Sequence, residues 1–122
     1  MIEHPMYSER LLDYFRNPRH AGSLPAPAQV VKVENPVCGD ILQLSVLWNG
    51  ESAECASFKT RGCTASIAAG SALAEWIIGK TREQIAAFQP GVIEEALDGL
   101  PAESRHAAVL CADAVRALLR PR

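Results

Sequence analysis

The chain carries no excess of positive charge: 12 Lys and Arg face 14 Asp and Glu, for a formal net charge of −2 and a pI near 5.9. No basic stripe is left to track a phosphate backbone, so nucleic acid is not an expected partner. No run of eighteen apolar residues occurs, and no charged then apolar leader with a cleavage site opens the sequence. Neither a membrane span nor a secretory signal is therefore expected, and the cytoplasm is the expected compartment. Internal repeats and low-complexity tracts are missing as well. Only four cysteines are present. In a reducing compartment they would remain thiols, which favours metal binding or sulfur chemistry over a disulfide framework.

What the chain does have is apolar content: 48% of its 122 residues are hydrophobic, enough for one core and one domain over residues 1–122. Asn35-Pro36-Val37-Cys38-Gly39-Asp40 sets a thiol and a carboxylate two residues apart in a turn, with a Gly between them that permits a left-handed conformation. Arg61-Gly62-Cys63-Thr64 offers a second thiol where a helix begins. The unpaired N–H groups there favour a thiolate. His106 stands near the start of the last helix. Cys38, Asp40, Cys63 and His106 together form a mixed sulfur, oxygen and nitrogen set suited to Zn²⁺ or iron. His4 and His20 are expected to be solvated, and Cys55 to be a half-buried small residue.

The patterning predicts an α+β fold, a small three-stranded antiparallel sheet with helices packed on one face. Tyr7, Leu11, Tyr14 and Phe15 mark a first amphipathic helix capped by Ser8 and stopped before Pro18. Gln29 to Glu34 reads as a strand. Ile41 to Trp48 alternates, with Leu42, Leu44, Val46 and Trp48 on one face, and Asn49-Gly50 predicts a type I′ hairpin into a strand over 52–59. There Ala56 and Phe58 share a face opposite Cys55. A helix follows Cys63 to near Gly79, with Ile67, Ala74 and Ile78 along its stripe. Thr81 and Gln84 form a capping box, a short helix runs to Pro90-Gly91, and Val92, Ile93 and Leu97 mark another that ends at Gly99. A final helix is expected over 102–119, with Ala107, Leu110, Cys111, Ala114 and Leu118 on its apolar stripe.

Several stretches at fixed spacing resemble the IscU and NifU N-terminal family of iron–sulfur cluster assembly scaffolds, which has a SufE/NifU-like fold. They are Tyr7-Ser8-Glu9 with Asn17-Pro18-Arg19, Pro36-Val37-Cys38-Gly39-Asp40, Phe58-Lys59-Thr60-Arg61-Gly62-Cys63, Glu75-Trp76 with Gly79-Lys80, and Leu100-Pro101 leading to His106. The resemblance implies that Cys38, Cys63 and His106 ligate a [2Fe–2S] cluster or Zn²⁺, and that Asp40 is a ligand or an aid to release. It also implies a cysteine desulfurase as sulfur donor and acceptor apoproteins as recipients. A carboxylate or imidazole in place of a thiolate makes such a site more labile, as a scaffold that must release its cargo requires.

Two positions depart from that pattern. Ala107 follows His106 where the family places a third cysteine, and Cys111, one helical turn after Ala107, is the candidate for a displaced ligand or persulfide site. Pro101-Ala102-Glu103-Ser104 replaces the segment that a specialised chaperone recognises, so dependence on that chaperone is not expected. The insertion typical of zinc-dependent SufU sulfurtransferases is missing between Lys80 and Pro90. The leading expectation is a non-enzymatic scaffold. The alternatives are a zinc-dependent sulfurtransferase taking persulfide on Cys63 or Cys111, and a degenerate relative that only binds the desulfurase.

Overall fold

A computed structural model of the chain describes residues 7–120. The elements run α1 (Glu9–Arg16), β1 (Gln29–Glu34), β2 (Ile41–Asn49), β3 (Ser52–Arg61), α2 (Thr64–Ile77), α3 (Arg82–Ala86), α4 (Pro90–Ala96) and α5 (His106–Leu119). The three strands form one antiparallel sheet in the order β1-β2-β3. Register places Val31, Leu44 and Phe58 in one cross-strand row and Val33, Leu42 and Thr60 in the next. Leu42, Leu44, Val46, Ala56 and Phe58 are buried on this face, against which α2 and α5 pack. The α+β architecture read from the sequence is the one observed.

The opposite face is not open throughout. After α1 the chain joins the β3 edge, where Gly22 N–H donates to the Phe58 carbonyl at 2.8 Å and Phe58 N–H to the His20 carbonyl at 3.0 Å. Ser23 Oγ then accepts from Gln43 Nε2 at 2.9 Å before the chain re-enters the sheet at Gln29. Gln43 points away from Leu42 and Leu44, so this connection straps the face that the helices leave uncovered. Ser45, on that same face, is fully buried.

Local chemistry accounts for the element ends. Ser8 caps α1 by accepting from Leu11 N–H at 2.9 Å, and Thr81 and Gln84 close a reciprocal capping box on α3. The β2–β3 hairpin differs from the expected turn by one residue. Asn49 still pairs with Ser52, so the two loop residues are Gly50 and Glu51, and only Gly50 takes a positive φ, +63°. A type I′ turn needs positive φ at both positions; one glycine at the first is the pattern of a type II′ turn. Register then shifts between Leu47 and Trp48, leaving Glu54 unpaired in β3. Strict alternation would have pointed Glu54 into the core beside Ala56. The bulge buries Ala53 instead and leaves Glu54 exposed.

Two helices depart from their expected form. In α2 a single apolar stripe is replaced by burial on nearly all sides, with Ala65, Ser66, Ala68, Ala69, Gly70, Ser71, Ala72, Leu73, Ala74 and Ile77 all inside, while Ile67 is half-buried. This central helix lies between the sheet, α1 and α5. The last helix does not start at 102: a 3₁₀ turn, Ala102–Ser104, precedes it, and His106 is the first residue of α5. No helix among the described residues is long and apolar enough to cross a membrane.

Candidate metal centre

The β1–β2 loop is built to hold its thiol and carboxylate in place. Asn35 Oδ1 accepts from the N–H groups of Val37 at 2.9 Å and Cys38 at 3.3 Å, and Gly39 N–H donates to the Asn35 carbonyl at 2.7 Å. Gly39 takes a φ of +80°, a conformation that side chains with a Cβ rarely adopt. The chain reverses within these residues. Val37 is left at the tip, 94% exposed, Cys38 is exposed beside it, and Asp40 turns inward to 8% exposure.

The β3–α2 junction supplies the second thiol. Cys63 is the N-cap of α2, and its sulfur lies 3.5 Å from Asp40 Oδ2 and 3.4 Å from Ser66 Oγ. Ser66 donates to the same Oδ2 at 2.5 Å. A Cβ on Gly62 would stand 2.5 Å from Asp40 Cγ and 2.7 and 2.8 Å from its oxygens. Glycine is therefore what lets the carboxylate lie against the backbone. Burial alone would push Asp40's pKa up. Hydrogen bonds from Ser66, the Cys63 thiol and the Cys63 backbone N–H, together with His106, outweigh it and hold the carboxyl below its usual range.

His106 completes the arrangement from the first position of α5. Its Nε2 is 3.4 Å from Asp40 Oδ2 and 3.7 Å from Cys63 Sγ. Cys38 Sγ, an Asp40 oxygen and a His106 ring nitrogen all lie within 4.8 Å of one another. A tetrahedral centre with metal–ligand bonds of about 2.0–2.3 Å has ligand–ligand edges of about 3.3–3.8 Å. The separations among Asp40, Cys63 and His106, 3.4, 3.5 and 3.7 Å, fall in that range. Asp40 and His106 thus stand between the two thiols, with Cys63 at 3.5 and 3.7 Å on one side and Cys38 within 4.8 Å on the other, while the two sulfurs are not grouped with each other. The donor set fits iron or zinc.

Cys111 is placed elsewhere. It is 1% exposed in the core, and burial raises its thiol's pKa far above the ordinary value. Ala107, the residue after His106, is fully buried too. Cys55 is half-buried on the strapped face, as expected. His20 is exposed, as expected, and takes a φ of +62° in the strap, where its carbonyl serves the sheet edge; His4 lies outside the described residues. Ser66 and Gly62 were not singled out in the sequence as parts of the centre. The available signal for Ser66 was its spacing, three residues after a thiol at a helix N-terminus.

Comparison with known proteins bears on the family and the fold. The NifU-like N-terminal domain family matches residues 6–120. An iron–sulfur cluster assembly scaffold protein IscU of Archaeoglobus fulgidus is 39% identical over 111 residues, covering 91% of this chain and 72% of that protein. The IscU proteins of Haemophilus influenzae and Escherichia coli are 38% and 37% identical over 117 residues, covering 93% of this chain and 92% and 91% of theirs. Two solved structures share the fold. A putative scaffold protein for the SUF system from Fervidobacterium islandicum AW-1 superposes with a TM-score of 0.77 at 23% identity, over 98% of this chain and 100% of that one. The N-terminal NifU-like protein of Brucella abortus gives 0.64 at 22%, over 93% and 79%. Matched from residue 6 to residue 120 and 37–39% identical to these scaffold proteins, the chain belongs to the NifU-like N-terminal domain family.

Proposed function

We infer that this protein is an iron–sulfur cluster assembly scaffold, with Cys38, Asp40, Cys63 and His106 holding the cargo. One observation carries the ligand assignment: Asp40, Cys63 and His106 from distant segments stand 3.4–3.7 Å apart, and Cys38 lies within 4.8 Å of Asp40 and His106. Two thiolates are soft ligands for iron, and Asp40 and His106 are harder and more readily exchanged. The cargo is a [2Fe–2S] cluster, with Zn²⁺ able to occupy the same donors. Cys38 is the exposed ligand, the one that a docking partner meets first. Sulfur comes from a cysteine desulfurase, clusters pass to acceptor apoproteins, and the place of action is the cytoplasm. Cys111 is a core thiol in this reading and takes no part in ligation.

The zinc-dependent sulfurtransferase is not favoured, since the relatives of 37–39% identity are named as cluster assembly scaffolds. Anaerobic reconstitution with ferrous iron, cysteine, a desulfurase and a thiol reductant that supplies the remaining electrons should produce visible [2Fe–2S] absorption that moves to an added apoferredoxin. Stoichiometric zinc with no cluster bands would overturn the scaffold assignment. A degenerate, desulfurase-binding role predicts that Cys38→Ser and Cys63→Ser leave desulfurase stimulation untouched.

A further inference from the structure

We propose that Ser66 is a positioning residue of the metal centre, acting through Asp40. This deepens the functional reading above and rests on it. Ser66 is the third residue of α2, in the turn that follows Cys63, and is 2% exposed. A buried hydroxyl in a helix commonly satisfies itself on the carbonyl one turn back. Here it instead reaches 26 residues back along the chain to Asp40 Oδ2, at 2.5 Å, within the short range of a hydrogen bond to a carboxylate.

That oxygen is the hub of the cluster, since Cys63 Sγ and His106 Nε2 are both measured from it, at 3.5 and 3.4 Å. A carboxylate can rotate. Gly62 gives it room on one side, and Ser66 is the donor to Oδ2 that comes from outside the candidate ligands, beside the hydrogen bonds from Cys63. The surroundings of Ser66 make the hydroxyl more pointed: its buried neighbours in the same helix include Ala65, Ala68 and Ala69. Packing alone would have been met by another alanine. The two polar contacts of Ser66, with Asp40 and Cys63, are both with residues of the centre.

Outer partners that orient a metal's ligands are worth roughly 10–100-fold in affinity. The experiment uses Co²⁺ as the probe, under anaerobic conditions, with the wild-type chain, Ser66→Ala, Ser66→Thr, Asp40→Ala and the Asp40→Ala/Ser66→Ala double variant. Ser66→Ala should weaken Co²⁺ binding about 10–100-fold, and Ser66→Thr, which keeps the hydroxyl, should restore most of it. In the Asp40→Ala background, removing Ser66 should change nothing further, because its effect passes through the missing carboxylate. Wild-type affinity in Ser66→Ala, a loss that Ser66→Thr does not restore, or an equal loss with and without Asp40 each overturns the proposal. A wild-type chain that takes up no Co²⁺ overturns the metal-centre reading itself.

Discussion

Replacing Gly70 with alanine adds one methyl group in the middle of α2, where the helix lies against β3. The new Cβ would come within 2.7 Å of Phe58 Cδ2 and of Thr60 Oγ1, with Phe58 Cε2 at 3.2 Å. Phe58 is itself buried, so the ring has little room to give. Gly91, in the first turn of α4, has nothing within 4 Å of the same added atom. Neither glycine needs a positive φ, so both substitutions gain about 0.4–1 kcal/mol by restricting the unfolded chain. At Gly70 an overpacking cost of about 1–3 kcal/mol opposes that gain. The net expectation is a loss of up to about 2.6 kcal/mol at Gly70 and a gain of about 0.4–1 at Gly91. For a domain of this size, 1 kcal/mol corresponds to about 3–5 °C in Tm. Melting of the chelator-treated variants by calorimetry should therefore show Gly70→Ala up to about 13 °C below wild type and Gly91→Ala about 1–5 °C above it. A Gly70→Ala protein that melts as high as Gly91→Ala would refute the close helix–sheet contact.

Gly62→Ala should cost about 1–3 kcal/mol and weaken Zn²⁺ uptake at least about 10-fold, because its Cβ displaces the Asp40 carboxylate; unchanged zinc titration would refute this. Cys111→Ala should keep full zinc stoichiometry while losing about 1 kcal/mol of stability, and a thiol reagent should modify Cys38 in the native protein well before Cys111. Zinc content that falls with Cys111→Ala would return that thiol to the ligand set. Tyr14's pKa is raised by burial and by its hydrogen bond to Glu75. The native state thus keeps this proton when the unfolded chain has lost it, so the stabilisation is complete below about pH 10 and disappears as pH rises through the higher folded value. Tm measured from pH 8 to 11 should fall more steeply for wild type than for Tyr14→Phe, and parallel curves would contradict the assignment.

Elements set by strong local chemistry could be read directly from the residues. Ser8, the Thr81–Gln84 box and the limits of β1 are where propensity and capping placed them. The four ligand candidates were visible because each sits at a turn or helix start whose residue types are distinctive. The hairpin register was not, since Asn49-Gly50 and Gly50-Glu51 are both possible two-residue loops and only the extra Asn49–Ser52 pair decides between them. In α2 the small residues Ala, Gly and Ser carry too weak an apolar signal to reveal a helix buried all round. Gly62 and Ser66 acquire their roles only from where packing brings Asp40, more than twenty residues earlier. For Cys111 the relevant geometry is its angle from His106: five residues at about 100° each put it roughly 140° round α5, facing the core.

In the proposed assignment, ligands from residues 38, 40, 63 and 106 make a bound metal a clasp between the end of the sheet and the start of the last helix. An ion or cluster that binds only the folded chain stabilises it by mass action, by about 2.7 kcal/mol when its free concentration is a hundredfold above its Kd. That corresponds to about a hundredfold fewer unfolded molecules. Handing over the cargo removes this protection in the same event. Proteases that act on the unfolded state would then clear empty molecules faster than charged ones, and the lifetime of the protein in the cell would register the supply of iron and sulfur.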